Sequence, residues 1–348
     1  MRHHNSVLHG LMKHIPWTAF DRLVDEHGAD RRVRRLTTKS QLTALLYGQL
    51  SGAASLREIE AGLSSHQARL YHIGASRPSR STLADANARR PSDVFTGVFA
   101  HMIGQAQRGL RNRIGEAVRL IDASGLKLAS SSSWAQFSAN VFGAKLHVIY
   151  DPDADQPLYF AVTAANVNDI TAAQVMPIEA GATYVFDLGY FDYAWWADLD
   201  AKGCRIVTRF RKNTPLAVVE ELPLPPGSVV LSDRIGHLPA RQKQSRRNPF
   251  SDPVRELRVT TETGKELRIL TNDLDAPADE IAELYKRRWQ VELFFRWVKQ
   301  TLKIRHFLGT SENAVRIQVA VALIAFLLLH LVRTAAKISQ PPLAFARL

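Results

Sequence analysis

The stretch Tyr285-Lys-Arg-Arg288-Trp-Gln-Val-Glu292-Leu-Phe-Phe-Arg-Trp-Val-Lys299 carries charge at positions where an ordinary buried helix carries apolar side chains. At about 100° of rotation per residue, Tyr285, Arg288, Glu292 and Lys299 fall within an arc of about 60° on one helix. At about 1.5 Å of rise per residue, they form a stripe roughly 20 Å long. The stretch therefore predicts a single helix with one charged face.

Most of the remaining circumference of this helix is apolar. The apolar residues around the charged stripe are Leu284, Val291, Leu293, Phe294, Phe295, Trp297 and Val298. A helix that is apolar nearly all round is usually buried, and burying a carboxylate beside guanidinium and ammonium groups is costly unless they are paired. A polyanion that arrives together with a metal ion is one candidate for that partner.

The composition of the chain favours a nucleic-acid partner. Its 348 residues include 45 Lys and Arg against 33 Asp and Glu, which gives a formal net charge of +12. A protein this basic favours a polyphosphate partner, nucleic acid before a membrane. The length allows two or three domains. The single cysteine, Cys204, excludes an intramolecular disulfide and a cysteine-based zinc site.

Targeting and membrane signals are weak in this sequence. The N-terminus has no continuous apolar region, so we expect no signal peptide and a cytoplasmic location. The longest apolar run, residues 317–332, contains Gln318 and His330 and is shorter than the roughly 20 residues that a membrane span needs. We therefore expect a buried C-terminal helix and no membrane partner.

Residues 1–110 show a helical pattern, and we interpret them as an N-terminal all-α DNA-binding domain. Ser55 and Glu58 form a capping-box pattern at the start of one helix, and Ser79 precedes a second helix. Such a pair predicts a helix-turn-helix. The DNA-contacting residues predicted in the second helix are Arg80, Arg89 and Arg90. The arginine-rich residues 30–35 are either a solvated turn or a phosphate-contacting patch.

Residues 111–210 predict the first part of an α/β core. Strands are predicted at 118–122, 141–150, 158–163, 183–187 and 205–209, with helices after Asp169 and over 193–202. Asp169 is a plausible N-cap. Three strands, helix, strand, helix, strand is the order of a ribonuclease H-like mixed sheet with flanking helices, in which carboxylates gather at strand ends.

Residues 211–275 interrupt this order and predict a β-rich insertion. Short β segments are expected near 228–231, 257–261 and 267–271. The basic residues 241–247 are either a flexible loop over a nucleic-acid backbone or a solvated loop. Residues 276–348 then supply the C-terminal helices of the core.

Three carboxylates stand out, namely Asp122, Asp187 and Glu292. Two end predicted strands and the third lies on the charged helix face. Carboxylate oxygens suit Mg²⁺ or Mn²⁺, and two such ions support in-line phosphoryl displacement. Arg288 and Lys299 are then expected to hold phosphate oxygens, and Tyr285 to stack on a base or bond a phosphate. Taken singly, each Asp is more often a turn or helix cap and the Glu a surface residue.

The spacing of the charged helix resembles the signature of the insertion-sequence-four family of DDE transposases. That signature is Tyr, two residues, Arg, three residues, Glu, six residues and Lys, which Tyr285, Arg288, Glu292 and Lys299 match. Asp122 matches the first aspartate of the family. Asp187, in Asp-Leu-Gly-Tyr, matches the second aspartate. The resemblance covers most of the chain and implies a helical N-terminal domain and a β-strand insertion before the last carboxylate.

The resemblance implies a cut-and-paste transposase that binds the inverted repeats of its own element and target DNA. Asp122, Asp187 and Glu292 are then expected to bind two Mg²⁺ ions, with Mn²⁺ as a substitute. Cleavage is expected to pass through a DNA hairpin, and two subunits are expected to form a homodimer in the synaptic complex. Two other functions remain open: a non-catalytic DNA-binding descendant of a transposase, and a ribonuclease H-like nuclease without strand transfer.

Overall fold

The computed structural model describes residues 7–110, 117–224, 227–241, 247–261, 263–301 and 307–336, without the side chains of 68, 69, 107–110 and 301. The helices in these residues are α1 (Val7–Met12), α2 (Trp17–Glu26), α3 (Thr38–Ser51), α4 (Leu56–Ser65), α5 (Gln67–Leu70), α6 (Arg80–Arg89), α7 (Ser92–Leu110), α8 (Asp169–Ala173), α9 (Tyr193–Ala201), α10 (Ala278–Arg287), α11 (Trp289–Thr301) and α12 (Glu312–Ala335). The strands are β1 (Val118–Lys127), β2 (Gln136–Ser138), β3 (Val141–Asp151), β4 (Gln156–Ala164), β5 (Thr183–Phe186), β6 (Arg205–Arg209), β7 (Ala217–Glu221), β8 (Val230–His237), β9 (Val254–Thr260) and β10 (Glu266–Thr271).

The chain forms two compact units. The helical unit comprises Met1–Arg113, Gly125–Lys145 and Phe294–Leu348. The sheet unit comprises Ile114–Ser124 and Leu146–Leu293.

Serine caps start two helices of the helical unit where the sequence predicts them. The Ser55 hydroxyl accepts a hydrogen bond from the Glu58 amide before α4, and Ser79 and Thr82 form a reciprocal capping box before α6. Residues 66–79 between these helices contain α5 and the 3₁₀ turn Tyr71–Ile73. This connection is longer than the turn of about three to four residues in a helix-turn-helix. Both predicted helices are present, but the connection between them is too long for a helix-turn-helix; DNA binding by this pair stays a prediction.

A buried polar network ties α3, α6 and α12 together. The Gln41 side-chain amide donates to Asn87 Oδ1 at 2.8 Å, and Arg90 Nη1 donates to Gln41 Oε1 at 3.0 Å. Arg90 also bonds the Leu36 carbonyl. Asn313 in α12 donates to the backbone oxygens of Asn87 and Arg90 at 2.9 and 2.6 Å. Because buried polar groups are costly unless bonded, this network fixes how the helices meet.

The predicted C-terminal core helix is present as α12. Ser311 caps its start, and most side chains from Ala314 to Leu328 are buried. By length and composition α12 could cross a membrane, but 72% of its most apolar window is buried within the protein. That burial is typical of a core helix.

The sheet unit has the predicted ribonuclease H-like mixed sheet. The strands follow the order β2-β3-β1-β5-β6-β10-β9-β8-β7, and β4 pairs with β3 outside this path. β1, β5 and β6 are parallel neighbours, with Leu120 opposite Val185 and Val185 opposite Val207. β6 and the strands that follow it are antiparallel to one another. β5 is buried along its whole length, as parallel strands covered on both faces usually are.

The β-rich insertion extends this same sheet. Strands β8, β9 and β10 correspond to the three predicted β segments, and β10 returns beside β6. The sequence analysis missed β7, whose five residues are all exposed and show no alternation. Residues 242–246 of the predicted basic loop lie outside the described residues. After β10 the chain enters α10.

An aromatic cluster under α9 supports the centre of the sheet. Phe186, at the end of β5, lies 4.9 Å from Trp195 and 5.9 Å from Tyr190 between ring centroids. The Trp196 indole donates a hydrogen bond to the Tyr190 carbonyl at 3.0 Å. These contacts rigidly support the turn that follows β5.

Candidate active site

Parallel pairing brings Asp122 and Asp187 level with each other. β1 and β5 are in register at Leu120 and Val185, and each aspartate lies two residues further along its strand direction. Asp187 directly follows β5, and Asp122 Oδ1 accepts a hydrogen bond from the Ala123 amide at 2.8 Å. β1 continues to Lys127, so the prediction that this strand ends at Asp122 is wrong. The pairing of β1 with β5 ends at Leu120, two residues before the aspartate.

Arg288 links Glu292 to Asp122. Arg288 Nη2 donates to Glu292 Oε1 at 2.6 Å, and Arg288 Nη1 lies 3.7 Å from Asp122 Oδ2. Glu292 sits in the first turn of α11, where the positive end of the helix dipole favours a carboxylate. One guanidinium therefore bridges two of the three predicted carboxylates.

The helix that carries these residues is broken at Arg288. α10 ends at Arg287 and α11 begins at Trp289. Around the break the backbone makes three-residue bonds, from the Arg288 amide to the Tyr285 carbonyl and from the Val291 amide to the Arg288 carbonyl. The prediction of one continuous helix is therefore wrong.

Burial is the largest influence on the pKa of Asp122, the carboxylate that Arg288 faces. Burial raises the pKa of Asp122 to about 6, and the charges of Asp187 and Glu292 add to that rise. The Ala123 amide and the Arg288 guanidinium oppose it without cancelling it. Oxygen donors with a surplus of negative charge fit a hard divalent cation.

A fourth carboxylate, Asp169, belongs to this neighbourhood, and the sequence analysis gave it only a capping role. Asn168 is the residue at the cap position of α8, and Asp169 is its first helical residue. A Cβ placed on Gly189 would lie 3.0 Å from Asp187 Oδ1 and 3.1 Å from Asp169 Oδ2. Glycine at position 189 therefore leaves room for both carboxylates, and the Gly189 amide donates to Asp187 Oδ1 at 2.8 Å. The glycine in the motif Asp-Leu-Gly-Tyr was the only feature of the sequence that indicated close packing around Asp187.

The metal site is not preassembled in this arrangement. Among the residues that the structure describes, no group of three His, Cys, Asp or Glu side chains is arranged to hold a metal ion. Glu292 is bonded to Arg288 instead. The chemistry of the donors, however, is that of a Mg²⁺ or Mn²⁺ site.

Tyr285 and Lys299 have different surroundings from those predicted by a shared stripe. The Tyr285 side chain is buried, burial raises its pKa, and the Arg288 guanidinium lies 5.9 Å from its ring centroid. Its position is that of a packing residue beside Arg288. Lys299 is half-buried in the part of α11 that belongs to the helical unit.

The three arginines predicted to contact DNA in α6 divide into two groups. Arg80 and Arg89 are exposed. Arg90 is buried, its guanidinium bonds Gln41 and the Leu36 carbonyl, and burial lowers its pKa. A buried guanidinium that is hydrogen-bonded within the helical unit is not accessible to a phosphate. The predicted DNA contact of Arg90 is therefore corrected to a structural role.

Known proteins resemble this chain in fold and in sequence. The structure of the piggyBac transposase synaptic complex with hairpin DNA matches 99% of this chain and 79% of that chain, with a TM-score of 0.50 and 12% identity. At that identity the likeness concerns the fold alone, and it confirms the predicted ribonuclease H-like class. A protein of Sinorhizobium fredii strain NGR234 named as transposase y4zB is 42% identical over 275 residues, 78% of this chain and 76% of that protein.

Further matches concern insertion sequences. A Geobacillus stearothermophilus protein named as a transposase for insertion sequence element IS5377 is 29% identical over 262 residues, 74% of this chain and 68% of that protein. A family described as a domain of unknown function (DUF4372) matches residues 3–76. The family described as the transposase DDE domain matches residues 113–328, which is more than half of the chain. This chain therefore belongs to the transposase DDE domain family.

Proposed function

We propose that this DDE transposase moves an insertion sequence by cut-and-paste, binding the inverted repeats at the ends of the element and then the target DNA. The observation that carries the proposal has two parts. Asp122 and Asp187 lie level on adjacent parallel strands, and Arg288 bridges Asp122 to Glu292 at a helix start. These residues lie far apart in the chain. Two rival functions use the same fold: DNA binding without cleavage, and cleavage without strand transfer. A cleavage assay separates them from transposition.

Asp122, Asp187 and Glu292 are the proposed catalytic and metal-binding residues. Dependence on a divalent metal is general to DDE domains; here we propose two Mg²⁺ ions, with Mn²⁺ as a substitute. When bound, such ions lower the pKa of the attacking hydroxyl and stabilise charge on the leaving oxygen. Glu292 completes the set by exchanging its bond with Arg288 for the cation.

Arg288, once released from Glu292, is the proposed contact to a phosphate at the cut end. A guanidinium binds two phosphate oxygens in a planar fork, whereas Lys299 acts as a point charge. We retain Lys299 as a proposed phosphate contact. Tyr285 is proposed to orient Arg288, because the centroid of its buried ring lies 5.9 Å from that guanidinium.

The helical residues 1–110 are the proposed DNA-binding domain, and an arginine surface supports this. The Ser76 hydroxyl donates to the Arg35 carbonyl at 3.1 Å, which joins the arginine-rich loop to the segment that leads into α6. The exposed members of this surface are Arg31, Arg32, Arg34, Arg35, Arg77 and Arg80. Arg89 is a further exposed arginine of α6. Clustered cations of this kind bind the phosphate backbone with an affinity that falls steeply with salt.

The remaining domain boundaries and the reaction order complete the proposal. Residues 111–210 and 276–348 form the catalytic core, and 211–275 form the insertion. Water attacks a phosphodiester at the element end and frees a 3′-hydroxyl, which attacks the opposite strand to close a hairpin. Water reopens the hairpin, and the 3′-hydroxyl attacks target DNA. The protein acts as a homodimer in the cytoplasm, on the nucleoid when bound to DNA.

The test uses a duplex carrying the inverted repeat found in the DNA that flanks the coding region. We expect Glu292→Gln to lose Mg²⁺-dependent cleavage while keeping its affinity for the duplex. The matched control is Glu312→Gln, which also removes a helical carboxylate paired with an arginine four residues away, Arg316, and should cleave normally. Full cleavage by Glu292→Gln would overturn the assignment.

The same assay distinguishes the rivals. Wild-type protein that binds the duplex without cutting it would indicate a DNA-binding descendant. Cleavage without strand-transfer products would indicate a nuclease.

A further inference from the structure

Tyr190 places a hydroxyl inside the protein without a partner. The residue is 1% exposed, and its hydroxyl makes no hydrogen bond to any other described residue. Its ring packs against Phe186 and Trp195, and its carbonyl accepts a bond from the Trp196 indole. The ring therefore cannot swing to solvent, and a buried donor without an acceptor is rare and unfavourable.

The groups around this hydroxyl are carboxylates. Burial raises the pKa of Tyr190 far above its ordinary value, and the charges of Asp122, Asp169 and Asp187 each raise it further. The phenol consequently keeps its proton and can act only through hydrogen bonding. Among the described residues, no oxygen lies at hydrogen-bonding distance from this neutral donor.

The backbone beside Tyr190 is shaped for the same cluster. Gly189 has no side chain, and a Cβ at this position would lie unusually close to the carboxylates of both Asp187 and Asp169. The Tyr190 amide bonds the Asp187 carbonyl at 3.3 Å. Tyr190 and Asp187 are thus parts of one turn. A change in the orientation of the Asp187 carboxylate would therefore alter its distance from the Tyr190 hydroxyl.

We propose that Tyr190 is a positioning residue of the cation site, whose hydroxyl donates its hydrogen bond to an oxygen of the cation-loaded Asp122, Asp169 and Asp187 cluster. The inference rests on the proposed function, because it requires these carboxylates to take up a divalent cation. Donors just outside a metal site orient the ligating oxygens, and their loss weakens metal binding. Asp169 enters the cluster as the carboxylate nearest Gly189 besides Asp187.

The test is a calorimetric titration of the full-length protein with Mn²⁺ in the absence of DNA. Tyr190→Phe removes the hydroxyl and keeps the ring, so the aromatic cluster and the fold are preserved. We expect Mn²⁺ affinity to fall about tenfold or more. In EDTA the thermal midpoint of Tyr190→Phe should equal or exceed that of wild type, because the lost hydroxyl had no partner.

The matched control is Tyr193→Phe, another buried tyrosine three residues further along. This variant should bind Mn²⁺ like wild type. Unchanged Mn²⁺ affinity in Tyr190→Phe would overturn the inference, and a lower thermal midpoint with unchanged affinity would show a purely structural hydroxyl. Asp187→Asn separates the two proposals: if it too binds Mn²⁺ normally, the cation site itself fails.

Discussion

Two carboxylates of the sheet unit, the buried Glu256 and the half-buried Asp122, have opposite electrostatic surroundings. Glu256 is fully buried and contacts Arg268 at 2.7 Å, Arg234 at 3.0 Å and Arg258 at 3.3 Å. Burial pushes its pKa up, but the bonds and charges of Arg268 and Arg234 outweigh burial and hold the pKa below its ordinary value. Asp122 has one guanidinium at 3.7 Å and a pKa raised to about 6.

The comparison separates a carboxylate with a structural role from one that we propose binds a cation. Removing a carboxylate from water is costly in both places, and the two places differ in how many cationic side chains offset that cost. Around Glu256 the protein supplies three guanidinium groups, which neutralise the buried carboxylate. Around Asp122 it adds Asp187 and Glu292 and leaves negative charge uncompensated, which is the condition of a site that takes its cation from outside.

The largest expected effect comes from breaking the compensated site. Glu256→Gln leaves three half-buried guanidinium groups around a buried site without their anion, and we expect it to lower the free energy of unfolding by about 3–5 kcal/mol. Urea unfolding measures this. The control, Glu266→Gln on exposed β10 surface, should change stability by no more than about 0.5 kcal/mol. A Glu256→Gln variant as stable as wild type would remove the structural half of the comparison.

A smaller effect is expected from pH at the uncompensated site. Because the pKa of Asp122 is raised to about 6, this carboxyl is protonated below that pH and must lose its proton to bind a cation. Mn²⁺ affinity should therefore rise by about tenfold per pH unit toward pH 6 and level off above it. Titration calorimetry at several pH values checks this, with circular dichroism to verify folding. An affinity that is constant from pH 5 to pH 7 would argue against Asp122 as a ligand.

The sequence predicted the carboxylates better than their surroundings. Asp122, Asp187 and Glu292 stood out because strand ends and a fixed motif spacing are local signals. The break at Arg288 was not predictable, because the apolar pattern continues through it on both sides. Arg90 was misplaced for a related reason: its partner Gln41 and its neighbour Asn313 lie far away in the chain.

Asp169 and Tyr190 illustrate the same limit within the site. Asp169 follows an Asn at a helix start, which is typical of a cap, and Tyr190 follows a glycine turn, which is typical of core packing. Only the folded chain brings the Asp169 carboxylate to Gly189 and leaves the Tyr190 hydroxyl buried among aspartates. Conversely, the predicted order of strands was sufficient to identify the ribonuclease H-like sheet.

The measurement that tests the central claim most directly is the unfolding of Asp122→Asn against wild type in EDTA. The folded pKa of Asp122 is raised from 3.8 to about 6, so the stability that its proton confers is lost as pH rises through that window. The Asn oxygen can still accept the Ala123 amide. We predict that Asp122→Asn is more stable than wild type by about 1–2 kcal/mol at pH 8, with the gain shrinking toward zero at pH 4. Destabilisation at pH 8, as expected for Glu256→Gln, would contradict the account.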